Sequence, residues 1–236
     1  MILDCSFLAL EQVIETVFQR IDVLLERQAT NPRQRMLIAL AGIPGSGKST
    51  ISSGLMRKLS KKNAGFVAVV PMDGFHYSKA ALALFPDPCL AVRRRGAPFT
   101  FDAAAFVQLV MKLKEAPVTF VDESVYSIRA PSFDHRVQDP VADDIEISSR
   151  NRIVILEGNY TLFNQTPWNQ IGNKVDERWF VDVSPEVAKE RLVERHLQAG
   201  IECSRELALT RVENNDLLNA DLIKRHLLEP NLIISC

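Results

Sequence analysis

Cysteine is scarce and scattered here. Four residues, at positions 5, 89, 203 and 236, form no C-x-x-C pair. That excludes a disulfide framework or a zinc ribbon as the organising device and fits a reducing compartment. Long apolar runs are missing too. None approaches the roughly 20 residues of a membrane span, so no membrane partner is expected. Neither sign of charge dominates. Lys and Arg number 28 against 29 Asp and Glu, a formal net charge of -1. A nucleic-acid binder normally presents a broad basic face, so no nucleic-acid partner is expected either. Repeats, low-complexity tracts and interdomain linkers are absent from the sequence. Early acids (Asp4, Glu11, Glu15) set the N-terminus apart from secretory and mitochondrial leaders. The expectation is a cytoplasmic protein, the nucleus not excluded, with a single α/β domain over residues 1–236.

Against these absences stands one strong motif. Gly42-Ile43-Pro44-Gly45-Ser46-Gly47-Lys48-Ser49-Thr50 fits G-x-x-x-x-G-K-[S/T], the phosphate-binding P-loop. Glycine permits backbone conformations barred to residues with a Cβ, so the amides can turn inward as a nest for anionic oxygens. Lys48 adds a cation on a long stem, Ser49 offers a hydroxyl to Mg2+, and a helix starting near Lys48 points its positive end at the phosphates. The context agrees. An apolar run, Met36 to Ala41, precedes the loop, and Ile51, Leu55, Met56 and Leu59 follow at helical spacing.

Elsewhere the pattern predicts an amphipathic helix over 7–27, ended by Thr30-Asn31-Pro32, which could pack on its own core or serve a homodimer. Strands are expected at 65–71, 153–156, 178–183 and 231–235, with a further short strand at 117–121. Asp102 is placed to cap a helix running to about Lys114. Residues 78–100 read as irregular and 122–144 as a long polar loop. A helix should run from Pro185 to about Gln198, with Gly200 closing it; residues 203–228 read as helical, broken at Asn214-Asn215-Asp216. Alternating strands and helices predict a mostly parallel sheet covered on both faces. Ligands of such sheets bind beyond the carboxyl ends of the strands, so Gly42, Asp73 and Glu157 should share one rim.

Phosphoryl transfer needs phosphate positioning, a metal, charge neutralisation and often a base. Lys48 and the loop supply the first; Ser49 and Glu157 are the metal candidates. Asp73 is the candidate base, or else a turn or cap aspartate. Glu157 could instead be a buried acid tied to a loop amide. His76 reads as a structural or substrate-contacting histidine more than a base. Arg191 and Arg195 share one helix face. They could close over phosphates, or pair with Glu190 and Glu194 on a solvated face. The cluster Arg93-Arg94-Arg95 tilts the acceptor towards an acidic or phosphorylated small molecule.

Together, the P-loop, Met72-Asp73-Gly74-Phe75-His76, Arg94-Arg95-Gly96-Ala97-Pro98-Phe99-Thr100-Phe101-Asp102, Leu156-Glu157-Gly158-Asn159-Tyr160 and Arg191-x-x-x-Arg195 resemble the uridine kinase, phosphoribulokinase and pantothenate kinase superfamily. The nearest pattern is that of a fungal branch related to kinases of bacterial sugar-transport operons. The resemblance spans nearly all the chain after residue 34. It implies a P-loop NTPase fold with a helical lid at about 185–215, and an ATP- and Mg2+-dependent kinase acting on an alcohol group. It also implies catalytic roles for Asp73, Lys48, Arg191 and Arg195, a metal-side acid in Glu157, and acceptor contacts by Asp73, His76, Tyr77, Arg94, Phe101, Tyr126, Asp134 and His135. Two features depart from the uridine kinase pattern: His196 stands where an aspartate usually follows the lid arginine, and 132–140 does not match the nucleoside-binding segment. Two other readings compete, a GTPase switch, since Asn173-Lys174-Val175-Asp176 spells N-K-x-D, and a non-catalytic nucleotide-binding regulator on the same fold.

Overall fold

Alternation along a single strand decides which layers surround it. In β2 (Met36–Gly42), every residue is buried. Leu37, Ala39 and Ala41 face one apolar cluster; Met36, Ile38 and Leu40 face another. A strand buried on both faces belongs inside a covered parallel sheet. The computed structural model describes residues 1–5, 8–62 and 65–235, the side chains of Ser60 and Lys62 excepted.

In chain order the elements are β1 (Ile2–Asp4), α1 (Leu10–Ala29), β2, α2 (Lys48–Lys62), β3 (Val67–Pro71), α3 (Lys79–Leu82), α4 (Pro88–Arg93), α5 (Ala103–Glu115), β4 (Ile128–Asp134) and β5 (Asp139–Ile147). Then follow β6 (Ile153–Glu157), α6 (Asn169–Gly172), β7 (Glu177–Asp182), α7 (Pro185–Gln198), α8 (Arg205–Arg211), α9 (Leu217–Arg225) and β8 (Leu232–Ser235). Six strands form one parallel sheet in the order β1-β8-β7-β2-β6-β3. The helices α1 and α2 cover one face through Val17, Ile21, Leu24 and Leu55; α5 covers the other through Phe106, Val110 and Leu113.

Four expectations are corrected. Residues 122–144 are not a loop. They build most of the antiparallel hairpin β4–β5, in register Ile128↔Ile147 and Asp134↔Asp139. Polar outward positions and Pro131 and Pro140 within the strands hid its alternation, as suits a two-stranded arm with one wet face. Residues 117–121 form no strand; they lie against loops, Val118 N donating to Arg33 O and Thr119 N to Ser149 O. Residues 78–100 contain α3 and α4, capped by Ser78 and Asp87. The helix does not break at 214–216. Residues Val212–Asp216 form a π-turn that joins α8 to α9 without interruption. Two elements went unforeseen: β1, which pairs with β8 at the sheet edge, and the short α6.

Among the described residues no helix is long and apolar enough to cross a membrane.

Candidate active site

Three parallel neighbours end at one rim. β2 runs into the P-loop, β6 ends at Glu157, and β3 ends at Pro71, where a 3-10 turn (Met72–Phe75) carries Asp73. The shared rim therefore follows from topology, as Gly42, Asp73 and Glu157 led us to expect.

In the loop Gly45 and Gly47 adopt φ of +78° and +92°, the left-handed region open to glycine. Lys48 begins α2. Burial lowers its pKa, Glu157 and Asp73 oppose that shift, and Arg195 adds to it. Glu157, 7% exposed, has a raised pKa, chiefly from burial, with Lys48 pulling the other way. Among the described residues no loop amide holds it; Ser49 Oγ donates to Glu157 Oε1 at 3.0 Å. Two hard oxygen donors thus meet beside the loop, the type of ligand a small divalent cation takes. Ser46 Oγ is buried inside the cradle without a hydrogen-bond partner among the described residues, which fits a loop built to receive further oxygen atoms.

Asp73 lies in the first turn of that 3-10 segment, whose N-cap is Pro71, so its carboxylate is not the capping group. Its carboxylate is 45% exposed and sits 4.0 Å from His76 Nδ1. That ring nitrogen lies 2.9 Å from Asp73 O, and the imidazole is sandwiched between Phe101 (3.9 Å between centroids) and Phe133 (4.9 Å). Burial lowers the pKa of His76, so the ring tends to be neutral. A cavity of about 400 Å³ opens here, lined by Ser49, Asp73, Phe133, His135, Ile145 and Glu157.

The helix α7 lies across the P-loop. A Cβ on Gly45 would stand 2.7 Å from Ala188 O. Arg191 points at the loop, Nη1 lying 3.5 Å from both Gly45 O and Ser46 O. Glu190 and Glu194 are held instead by Arg205, at 2.6 and 2.9 Å. Among the described residues, Arg191 and Arg195 are therefore not ion-paired with these helical neighbours.

Four other expected residues, Tyr77, Phe101, Tyr126 and Asp134, do not line that cavity. Tyr126 precedes β4 at the far end of the hairpin, where Arg35 donates to Ser148 O near the amino ends of the strands. Asp134 accepts from Arg136 N at 2.8 Å and so closes the hairpin turn. Phe101 is core, 3% exposed, backing His76, and Tyr77 packs edge-on to Phe85. Asp176 of the N-K-x-D sequence accepts from Leu37 N at 2.8 Å, at the start of β2 and opposite the P-loop. Sequence reasoning missed the buried amides Asn215 and Asn219. They are four apart on one helical face, a signal obscured by reading the segment as a break.

No family model matches the chain. A Schizosaccharomyces pombe protein named provisionally as a uridine kinase is 38% identical over 221 residues, 93% of this chain and 89% of that one. The chain belongs to the uridine kinase-related P-loop kinases. Another member of these P-loop kinases, the ATP-dependent kinase YFH7 of Saccharomyces cerevisiae, is 33% identical over 204 residues, 76% of this chain but 58% of its own length. Among solved P-loop kinase structures, one from Silicibacter described provisionally as a fructose transport system kinase superposes with a TM-score of 0.75 at 33% identity, covering 96% of this chain and 98% of that one. That of YFH7, described as circularly permuted, gives 0.76 at 26% identity over 97% and 99%.

Proposed function

We propose that the protein transfers the γ-phosphoryl group of ATP to a hydroxyl of a small polar metabolite. The observation that carries this reading is the convergence of Lys48, Ser49, Glu157 and Asp73 on one rim beneath the lid arginines. The P-loop amides and Lys48 hold the β- and γ-phosphates. Asp73 takes the proton of the acceptor hydroxyl as its oxygen attacks the γ-phosphorus, and ADP departs. Arg191 and Arg195 balance the charge that builds on the moving group. His76, held neutral between aromatic rings, positions the Asp73 turn. Ser49 and Glu157 would hold magnesium, which would supply neutralisation of phosphate charge at this rim.

A metabolite panel scored by ADP release tests the reading. Wild-type protein should show acceptor-dependent release, and Lys48→Ala should abolish it. Release that survives in Lys48→Ala, or that no acceptor stimulates in the wild type, would contradict the reading.

A further inference from the structure

Three consecutive arginines meet three different fates. Arg93 ends α4 and is exposed. Arg95 is neutralised: it pairs with Asp139 at 3.0 Å, donates to Gln138 O and Tyr77 O, and lies over the ring of Phe133. Its charge fastens the hairpin to the turn that carries Asp73.

Arg94 is held differently. Its Nη2 donates to Asn219 Oδ1 at 3.1 Å, and no carboxylate pairs with it among the described residues. Asn219 is 1% exposed, and its Nδ2 faces Asn215 Oδ1 at 3.5 Å. Asn215 in turn donates to Arg95 O at 3.0 Å. Neutral amides thus fix the guanidinium in place without an ion pair among the described residues. Its Nε is buried with no hydrogen-bond partner. The buried hydroxyl of Tyr160 donates to Gly96 O at 2.7 Å, two residues beyond Arg94, and Tyr160 feels the charges of Arg94, Asp216 and Asp73. A group positioned by an amide, half-buried and short of a counter-charge is a receptor awaiting an anion, and the guanidinium fork matches a carboxylate or phosphate.

We propose that the acceptor carries an anionic group, a carboxylate or a phosphate monoester, which Arg94 receives while the acceptor's hydroxyl lies at Asp73. This rests on the kinase reading above and names its substrate class. It makes Arg94 a specificity residue and Asn219 its positioning residue.

The test is acceptor-dependent ADP release by the full chain on three arms: hydroxy acids, hydroxylated phosphate monoesters, and matching neutral polyols and nucleosides of three to nine carbons. Turnover should be confined to one or both anionic arms, and which one identifies the anion. Arg94→Gln should raise the acceptor KM about tenfold or more with ATP affinity unchanged, and Arg94→Lys, which keeps the charge but loses the fork, should fall between. Arg136→Gln, at the exposed hairpin turn, should match wild type. Efficient turnover of neutral acceptors would leave the kinase reading standing and overturn this inference alone. An unchanged acceptor KM in both Arg94 variants, or a loss confined to ATP affinity, would also overturn it. No release on any arm would overturn both.

Discussion

Glu157 shows how a single residue can sacrifice stability for a site. Its carboxyl sits at the end of a fully buried strand, and burial raises its pKa above the ordinary 4.5. A carboxyl with a raised folded-state pKa binds more protons folded than unfolded across the window between the two values. Stability therefore falls as pH rises through that window, and at neutral pH the ionised group costs the fold. Glu157→Gln, of the same shape but unable to ionise, should raise the melting temperature of the nucleotide-free protein at neutral pH. The gain should shrink towards pH 4.5, where the native carboxyl is itself protonated. Thermal melts from pH 4.5 to 8 check this; a Glu157→Gln protein less stable than wild type at pH 7 would contradict it. Lys48 shares the logic with opposite sign of charge, since burial lowers its pKa. Phosphate oxygens offset that penalty when they bind.

Between elements, two contacts govern how the site is held. The turn carrying Asp73 seats on the hairpin because position 74 has no side chain. A Cβ there would stand 2.1 Å from Pro131 O, a backbone atom. Gly74→Ala should cost about 1–3 kcal/mol, as overpacking against backbone does, and lower turnover as Asp73 shifts. Denaturant midpoints and kcat measured together check it; wild-type values of both would show that the hairpin yields freely. The second contact fastens α7. His196 Nε2 and Asp216 Oδ2 lie 2.8 Å apart, joining α7 to the π-turn, with His196 3% exposed. Beside it Leu192, Val193, Ala208 and Val212 form a small core of their own. His196→Ala leaves Asp216 buried without this partner and should lower unfolding free energy by about 1–3 kcal/mol. A loss below about 0.5 kcal/mol would show that the pair does not hold α7 to the π-turn. The pair also answers the departure noted in the sequence: the histidine after Arg195 is spent on the π-turn.

Over the whole molecule, legibility followed burial and period. The strands at 36–42, 153–157 and 177–182 and the helix at 185–198 were plain because their apolar spacing and caps agreed. The P-loop, Asp73 and Glu157 were plain because each follows a buried strand, and parallel topology places strand ends together. The hairpin was not, because its outward face is charged and prolines interrupt its strands. Nor could sequence distinguish Arg94 from Arg95, since an ion pair with Asp139, 44 residues away, decides between them. The most direct measurement is the rate of phosphoryl transfer by Asp73→Asn beside its ATP dissociation constant. If Asp73 is the base at this rim, kcat falls about 10²–10⁴-fold while ATP binding is retained. Turnover near the wild-type value would contradict the account.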